Sequence, residues 1–240
     1  LKIQGQTMRG FIITGTSSGI GHELCKLLLD NPDNKVIGIG RTQNIAHTNY
    51  YHFALDLNNI SEIENIEFPS WKNAEQISLI HNAAWIGPIQ KIGNQELGAI
   101  ASAYIINLVA PAVLSNQFIS MYKSSKAQKV ILSISSGAAH TAIGGWSTYC
   151  SSKAGLDMLS KCIDEEYQEI INLSIAPGKV DTPMQNDIRF ADEKAFPRLR
   201  EFQKYYKEGE LEDAKEVAMK YKKILQNPKN FLQLNRVSEI

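Results

Sequence analysis

The feature that most constrains this 240-residue chain is a regular alternation of short apolar runs with helical patterns. Helical stretches such as Gly21–Leu29 and Glu96–Tyr122 separate runs whose composition is typical of buried strands. Those runs are Phe11–Thr14, Val36–Ile39, Tyr51–Leu55, Ile77–Ile80, Val130–Ile134 and Ile170–Ala176. Strands that are apolar throughout and separated by helices predict a parallel sheet covered on both faces. We therefore expect one doubly wound α/β domain with about seven strands, the last at Phe231–Leu234.

The bulk composition excludes several classes of protein. Apolar residues make up 43% and charged residues 21%, and the formal net charge is zero, so we expect neither a nucleic-acid nor a membrane-surface partner. The three cysteines form no CxxC pair, which predicts no disulfide framework, no metal site and a cytoplasmic location. No apolar run reaches the roughly 18 residues of a membrane span. We expect Met8 to be the native start, with 1–7 a cloning remnant or disordered N-terminus, and 8–240 to form the single domain.

The amino-acid composition changes after the predicted strand Ile170–Ala176. Residues 187–212 are highly charged and carry interleaved aromatic side chains, which predicts one or two short helices. Ligands of open α/β sheets bind beyond the carboxyl ends of the strands, so a segment at about 183–212 can serve as a substrate lid. The alternative is a solvated helix pair whose aromatic residues pack on the core.

Three glycines, Gly15, Gly19 and Gly21, lie between the first predicted strand and the first helix, in the stretch TGTSSGIG. Glycine allows the backbone to approach a pyrophosphate, and the N-terminus of the helix supplies N–H donors. Ser17 and Ser18 add hydroxyl donors. We interpret the stretch as a dinucleotide loop, with a simple strand–helix turn as the alternative.

The second predicted strand ends in VIGIGRT, where an NAD-binding site usually carries an acid. Here Arg41 and Thr42 follow Gly40. A guanidinium binds a 2′-phosphate that a carboxylate would repel, so the sequence favours NADP(H). An arginine that only faces solvent is the alternative.

Tyr149 and Lys153 are four residues apart, which places them on one face of a helix. A lysine ammonium near a phenol favours the phenolate and predicts a tyrosine pKa lowered from about 10 toward neutral. Such a tyrosine can exchange a proton with a carbonyl or alcohol oxygen. Ser136, thirteen residues before Tyr149, can hold the same oxygen by a hydrogen bond. A surface helix pair is the alternative for YxxxK taken alone.

Together these motifs resemble the short-chain dehydrogenase/reductase family, over roughly residues 8–225. The matching stretches are TGTSSGIG for TGxxxGxG, Ser136 with YxxxK, HNAA for NNAG and PGKVDT for PGxVxT. The resemblance implies a Rossmann-type domain and a nicotinamide cofactor. With the arguments above, the expected cofactor-binding residues are Gly15, Ser17, Ser18, Gly19, Ile20, Gly21, Arg41, Thr42, Asp56, Leu57, Asn82, Ala83, Ala84, Tyr149, Lys153, Pro177, Gly178, Val180 and Thr182.

The resemblance also implies catalytic roles. Tyr149 would be the general acid, Lys153 would lower its pKa and bind the nicotinamide ribose, and Ser136 would polarise the substrate carbonyl. Asn107 would hold a water in a proton relay through Lys153. One departure from the family pattern is Ala84 in place of glycine, which is tolerable only if its φ is negative.

Trp146 and Cys150 flank the tyrosine as they do in the subgroup of sepiapterin reductases and bacterial benzil reductases. This resemblance implies NADPH-dependent reduction of a ketone or diketone, a small-molecule carbonyl substrate. The expected pocket residues are Trp85, His140, Trp146 and Met184. The alternatives are simple packing for the aromatic residues and an exposed loop position for His140; we expect Cys150 to pack.

The resemblance further implies a homodimer or homotetramer, paired through the helices that contain Asn107–Gln117 and Ala154–Leu159. Two other functions remain open on the same fold. One is an NAD(P)-dependent alcohol dehydrogenase that works in oxidation, and the other is a non-catalytic nucleotide sensor.

Overall fold

The computed structural model of the protein describes residues 8–232 and 235–240. Its centre is a parallel sheet in the order β3-β2-β1-β4-β5-β6. The strands are β1 Met8–Thr14, β2 Asn34–Gly40, β3 Tyr50–Ala54, β4 Ala74–His81, β5 Gln128–Ile134 and β6 Ile170–Ile175. This order confirms the doubly wound α/β fold and places the topological switch point between β1 and β4. The predicted remnant at residues 1–7 lies outside the described residues.

Helices cover both faces of this sheet. They are α1 Gly19–Leu29, α2 Ile60–Glu64, α3 Leu97–Tyr104, α4 Ala110–Tyr122, α5 Ser147–Glu166, α6 Pro183–Arg189, α7 Leu199–Lys207 and α8 Ala214–Gln226. Short 3₁₀ turns occur at Gly137–Ala139, Pro228–Phe231 and Val237–Glu239. The predicted helical character of the segment after β6 is confirmed, because α6 and α7 lie within it.

The alternation of side chains along each strand divides the core into two layers. On one face, Leu24 and Leu28 of α1 and Tyr221 of α8 pack in one cluster with Ile80 of β4. On the other face, α2 and α4 cover the neighbouring odd-numbered positions of β4, with Leu114 fully buried. Each such side chain contributes about 1.5–3 kcal/mol on burial, so the two layers hold the carboxyl ends of the strands in place.

The prediction of about seven strands is wrong, because the described part of the chain contains six. Phe231 ends the 3₁₀ turn that begins at Pro228, and 233–234 lie outside the described residues. Among the described residues of this end of the chain, pairing with the sheet occurs at one parallel bridge, between Ala176 and Arg236. Proline has no N–H to donate to a strand ladder and its fixed φ suits the first turn of a helix, which explains the turn at this point.

The predicted helix Glu96–Tyr122 is present, but its middle differs from the expectation. Between α3 and α4 the chain forms a π-helical turn, Ile105–Val109, in which the N–H of Ala110 donates to the carbonyl of Ile105. Pro111 lies two residues after this turn and has no N–H for the carbonyl of Asn107, which removes one α-helical hydrogen bond there. π-turns inside α-helices often mark functional sites, and this one contains Asn107.

Contrary to the expectation that no apolar run is long enough, the helix Leu97–Tyr122 is long and apolar enough to cross a membrane by length and composition alone. Core helices of soluble proteins also meet this criterion. Leu114 and Phe118 of this helix are fully buried against the sheet. Its remaining apolar surface is therefore the outer side of a helix that already belongs to the core.

Candidate active site

The glycine loop lies at the carboxyl end of β1, beside the switch point. Gly15 and Gly19 have φ values of +74° and +57°, which favour glycine because a Cβ is strained there. Gly21 is required by space, since a Cβ on it would lie 2.3 Å from Asn82 Nδ2. No side chain caps the start of α1, and its first turn holds no acid. The backbone N–H groups of this turn are therefore free to bind an anion.

The HNAA segment is hydrogen-bonded to the end of β1 and to this loop. Thr14 Oγ1 accepts hydrogen bonds from the N–H groups of Asn82 and Ala83, both at 3.0 Å. Asn82 Nδ2 donates to the carbonyls of Thr14 and Gly15 at 2.9 and 2.8 Å. Among the described residues every positive φ belongs to a glycine, so Ala84 carries no left-handed strain and meets the condition set by the sequence.

Arg41 stands exposed at the end of β2, and within the described part of the chain its side chain makes no ion pair. Asn44 Nδ2 donates to the carbonyl of Ser17 at 2.9 Å, which holds the segment after Arg41 beside the glycine loop. Thr42 is also exposed, and Ser17 and Ser18 are exposed on the loop itself. Next to β2, half-buried Asp56 and buried Leu57 follow β3.

The PGKVDT segment approaches the loop from the other side. Pro177 and Gly178 follow β6, and Gly178 has a φ of +86°. Val180 forms a bridge with Glu212, which fixes the segment before Thr182. A Cβ added to Gly19 would lie 3.3 Å from Thr182 Cγ2, so Thr182 contacts the glycine loop. The sequence-predicted cofactor residues thus come together along the carboxyl ends of the strands, with Ile20 buried beneath them.

Tyr149 and Lys153 face the sheet from the first turns of α5, with 6% and 2% of their surfaces exposed. Lys153 Nζ donates to the carbonyl of Ile134, the last residue of β5, at 2.7 Å. Ser136 follows two residues later, and its hydroxyl is near enough to the phenol of Tyr149 to act on the pKa of that phenol. The three predicted catalytic side chains therefore meet at one point, next to the end of β5.

The protonation states differ from the expectation for this group. Burial raises the pKa of Tyr149 to about 12, against a lowering by the hydrogen bond from Ser136. Burial also lowers the pKa of Lys153 to about 8, against a raising by the charge of Asp157. The predicted lowering of the Tyr149 pKa toward neutral is therefore wrong for the chain's own residues, because the effect of burial is larger than that of the hydrogen bond. At neutral pH the phenol holds its proton.

Asn107 is fully buried in the π-helical turn. Its side-chain amide closes two hydrogen bonds with the backbone of Trp85: Oδ1 accepts from the N–H and Nδ2 donates to the carbonyl, both at 2.8 Å. Nδ2 also donates to Ser152 Oγ, one residue before Lys153, at 3.1 Å. The Asn107 side chain thus fixes the segment after HNAA against α5. A role of Asn107 in a proton relay stays a prediction.

An aromatic cluster borders Tyr149. Trp146 lies edge-on to Tyr149, with ring centroids 5.8 Å apart, and Trp85 and Met184 pack at its margin. His140 is not part of this cluster, because it points to Asp157 and its side chain is 64% exposed. Cys150 packs at the same margin, and its Sγ–H donates to the carbonyl of Thr141 at 3.6 Å.

Sequence reasoning missed three residues near the site. Fully buried Phe196 stacks on Trp146 and was noted only as one of several interleaved aromatic residues. Ser152 joins Asn107 to α5, and Asp157 contacts His140. The spacing of Asp157, four residues after Lys153 on the same helix face, is a signal that could have found it.

The residues of this site fit a nicotinamide dinucleotide. The uncapped N-terminus of α1 suits a pyrophosphate. Gly15 and Gly19 have no side chain, so a ligand can approach the backbone closely there. Lys153 uses one of its three donor hydrogens for Ile134, which leaves two for ribose hydroxyls. Arg41 adds an exposed cation at the end of β2.

Comparison with known proteins agrees with this geometry. The model of the family described as short chain dehydrogenase matches residues 10–193. The chain belongs to this family. It is therefore an oxidoreductase of the short-chain dehydrogenase/reductase type, which acts on CH–OH or C=O groups with a nicotinamide cofactor.

Individual relatives place the chain near two kinds of reductase. It is 34% identical to a benzil reductase ((S)-benzoin forming) of Bacillus subtilis, over 85% of this chain and 88% of the relative. It is 31% identical to sepiapterin reductase of Rattus norvegicus, over 72% and 69%. Among solved structures, that of the KRED1-Pglu enzyme matches with a TM-score of 0.82 and 27% identity, over 92% of this chain and 95% of that one. The predicted resemblance to this subgroup is confirmed.

Proposed function

We propose that this protein is an NADPH-dependent carbonyl reductase that converts a ketone, and in particular a diketone, to an alcohol. The observation that carries the proposal is the meeting of Tyr149 and Lys153, buried on one face of α5, with Ser136 next to the end of β5. A phenol placed beside a hydroxyl and an ammonium can donate its proton to a carbonyl oxygen, as reduction requires. The names of the benzil and sepiapterin reductases support the choice of a dicarbonyl-type substrate.

In this mechanism the chain's residues hold the cofactor and manage one proton. The glycine loop would hold the pyrophosphate, Arg41 and Thr42 the 2′-phosphate, Asp56 and Leu57 the adenine, and PGKVDT the carboxamide. When bound, NADPH supplies the hydride that is transferred to the carbonyl carbon. Ser136 donates a hydrogen bond to the carbonyl oxygen, and Tyr149 delivers its proton to that oxygen. Lys153 then stabilises the phenolate until a proton returns from solvent by way of the Asn107 region.

The substrate would lie between Tyr149 and the aromatic cluster, covered by α6 and α7 as a lid at about 183–212. Trp85, Trp146 and Met184 would form its walls. Aromatic walls suit flat or aryl-substituted carbonyl compounds, since stacked and edge-on ring contacts are favourable.

We further propose a homodimer or homotetramer in the cytoplasm. The two helices expected to pair carry exposed apolar side chains: Val109, Met121 and Met158 are 37%, 45% and 58% exposed. Apolar residues at these positions favour burial against a second copy. Light scattering on the wild type and on Met158→Glu tests this, because a charge at the interface should shift the mass toward the monomer. A wild-type monomer at micromolar concentration would rule the proposal out.

The decisive experiment is NADPH oxidation with benzil, sepiapterin, small diketones, quinones and sugars as substrates. We expect turnover with the diketones, and a loss of about 10²–10⁴-fold in kcat for Tyr149→Phe. Tyr51→Phe, at a tyrosine that is 74% exposed, is the matched control. Undiminished turnover in Tyr149→Phe would refute the mechanism. No turnover of any carbonyl or alcohol by the wild type would favour the nucleotide sensor, and turnover confined to alcohol oxidation would favour the dehydrogenase.

The cofactor assignment has its own test. Arg41→Ala should raise the KM for NADPH about tenfold and leave the KM for NADH unchanged, because only NADPH carries the 2′-phosphate. Lys123→Ala, at an exposed lysine after α4, is the control. Better catalysis with NADH in the wild type, and no effect of Arg41→Ala, would show that the preference for NADP is wrong.

A further inference from the structure

Asp157 is a carboxylate in an unusual place. It lies on the face of α5 that packs against the sheet, four residues after Lys153, and its side chain is 11% exposed. A charge taken out of water at such a position is costly unless it is paired and hydrogen-bonded. The side chains around it show what it is paired with.

Both carboxylate oxygens of Asp157 are engaged. Ser135 Oγ and Ser174 Oγ each donate to Oδ1 at 2.6 Å. His140 Nε2 lies 3.1 Å from Oδ2. These partners come from the end of β5, from β6 and from the loop after Ser136, so one side chain joins α5 to three separate segments.

Asp157 is connected to two of the proposed reacting groups, Ser136 and Lys153. Ser135 directly precedes Ser136, and its own N–H donates to the carbonyl of Ile175 at 3.1 Å. The peptide before Ser136 is therefore held from its backbone by β6 and from its side chain by Asp157. The second connection is electrostatic, because the carboxylate acts on the ammonium of Lys153 one helical turn away.

We propose that Asp157 is a positioning residue for this site, whose carboxylate fixes Ser136 through Ser135 and places a negative charge one helical turn from Lys153. The effect of Asp157 on catalysis rests on the proposed function, whereas its contacts do not depend on that function. Asp157 lies outside the motifs TGxxxGxG, YxxxK, NNAG and PGxVxT.

The charges that face Lys153 explain why the carboxylate matters. His81 of β4 is buried, and its pKa is lowered to about 3, first by burial and then by the charge of Lys153, so it is neutral near pH 7. Tyr149 keeps its proton on the same helix. Asp157 is the charged group that acts on Lys153, and it opposes the lowering of the lysine pKa by burial. Around Asp157 itself stand His140, the two serines and Lys153.

A purely structural role, in which Asp157 only ties α5 to the sheet, makes different predictions. Asp157→Asn keeps the size of the side chain and an oxygen that can accept from both serines, but removes the charge. Ser135→Ala keeps the charge and removes the link to Ser136. Ser174→Ala removes an equal hydrogen bond to the same oxygen on a strand that does not carry Ser136, and is the matched control.

The first measurement uses the protein without cofactor or substrate. Lysine labelled with ¹³C at Cε is titrated by NMR, and Lys153→Arg assigns the signal. We expect Asp157→Asn to lower the titration midpoint of Lys153 by about one pH unit, as loss of a neighbouring opposite charge does. Glu165→Gln, at an exposed acid on the same helix, should leave it in place. An unchanged midpoint in a folded Asp157→Asn variant would overturn the electrostatic part, whether or not the wild type reduces any carbonyl.

The second measurement is the pH profile of NADPH-dependent turnover. In Asp157→Asn the alkaline loss of kcat/KM should begin about one pH unit lower than in the wild type. Ser135→Ala should lower kcat about tenfold with KM for NADPH unchanged, and Ser174→Ala should not. Equal effects of the two alanine variants would overturn the positioning part. If Asp157→Asn does not fold, the serine pair still decides this part, since each variant removes only one hydroxyl.

Discussion

The indole of Trp146 lies parallel to the ring of Phe196, with ring centroids 5.0 Å apart and an angle of 4° between the planes. The same indole meets Tyr149 edge-on. Phe196 belongs to the segment between α6 and α7, and Trp146 precedes α5. A ring stack therefore connects the proposed lid directly to the proposed proton donor.

Loss of this stack should loosen the lid. Phe196→Leu keeps an apolar side chain but removes a ring contact of about 0.5–1.5 kcal/mol. We expect the KM for the carbonyl substrate to rise about two- to tenfold and cleavage between 190 and 212 by a protease to become faster. Phe190→Leu is the control, because Phe190 is 88% exposed. Equal protease sensitivity of the two variants would show that Phe196 does not hold the lid.

Two glycines within helices can be compared, Gly21 of the glycine loop and Gly98 of α3. Gly21→Ala places a Cβ 2.3 Å from both Asn82 Nδ2 and the carbonyl of Gly15, so the loop must shift. We expect binding of NADPH, measured by fluorescence, to weaken at least about tenfold. Gly98→Ala has open space around its Cβ and should instead stabilise α3 by about 0.5–1 kcal/mol. Wild-type binding by Gly21→Ala would mean that the close contact with Asn82 is not needed.

His81 should make the fold sensitive to acid. Burial lowers its pKa to about 3 in the folded chain, whereas in the unfolded chain it is about 6.5. The folded state therefore loses stability as the pH falls below 6.5, because only the unfolded state takes up the proton. Between pH 6.5 and 5 this amounts to about 2 kcal/mol. Urea unfolding of His81→Asn should lack this part of the pH dependence, while His47→Asn, at an exposed histidine, should retain it.

Asn107 should be as important for stability as for chemistry. Asn107→Ala leaves the backbone N–H and carbonyl of Trp85 without their partners in a mostly buried place. We expect the free energy of unfolding to fall by about 3 kcal/mol, since each unsatisfied group costs about 1–3 kcal/mol. Asn116→Ala, on the exposed side of α4, should change it by less than about 0.5 kcal/mol. A small loss at position 107 together with full activity would argue against both roles.

Much of this fold could be predicted because local pattern and tertiary position agree. Most of the predicted strands are largely apolar runs, and such runs are buried on both faces of a parallel sheet. The edge strand β3 is the exception, because only Tyr50 in it is buried. Ser136, Tyr149 and Lys153 follow strand ends or share a helix face, so chain geometry alone brings them together. The order of these motifs along the chain was sufficient to predict the family.

The errors arose where structure depends on partners distant in sequence. Where the structure describes the end of the chain, Arg236 pairs with Ala176 at one bridge, and no local pattern in the sequence indicates so short a pairing. The position of His140 depends on its contact with Asp157 of α5, and the sequence alone does not indicate that these two residues meet. The pKa of Tyr149 depends on how completely the folded chain excludes water from it, which spacing between residues does not reveal.

The π-helical turn Ile105–Val109 means that α3 and α4 are out of phase by one residue. Each residue of an α-helix turns the chain by about 100°, so deletion of a single residue within this turn would rotate α3 by that angle about its axis. Tyr104, whose hydroxyl lies 2.7 Å from Ser151 Oγ on α5, would then face another direction. The fit of α3 against α5 therefore depends on the number of residues in the turn as well as on their identities, and a deletion there would be more damaging than a substitution.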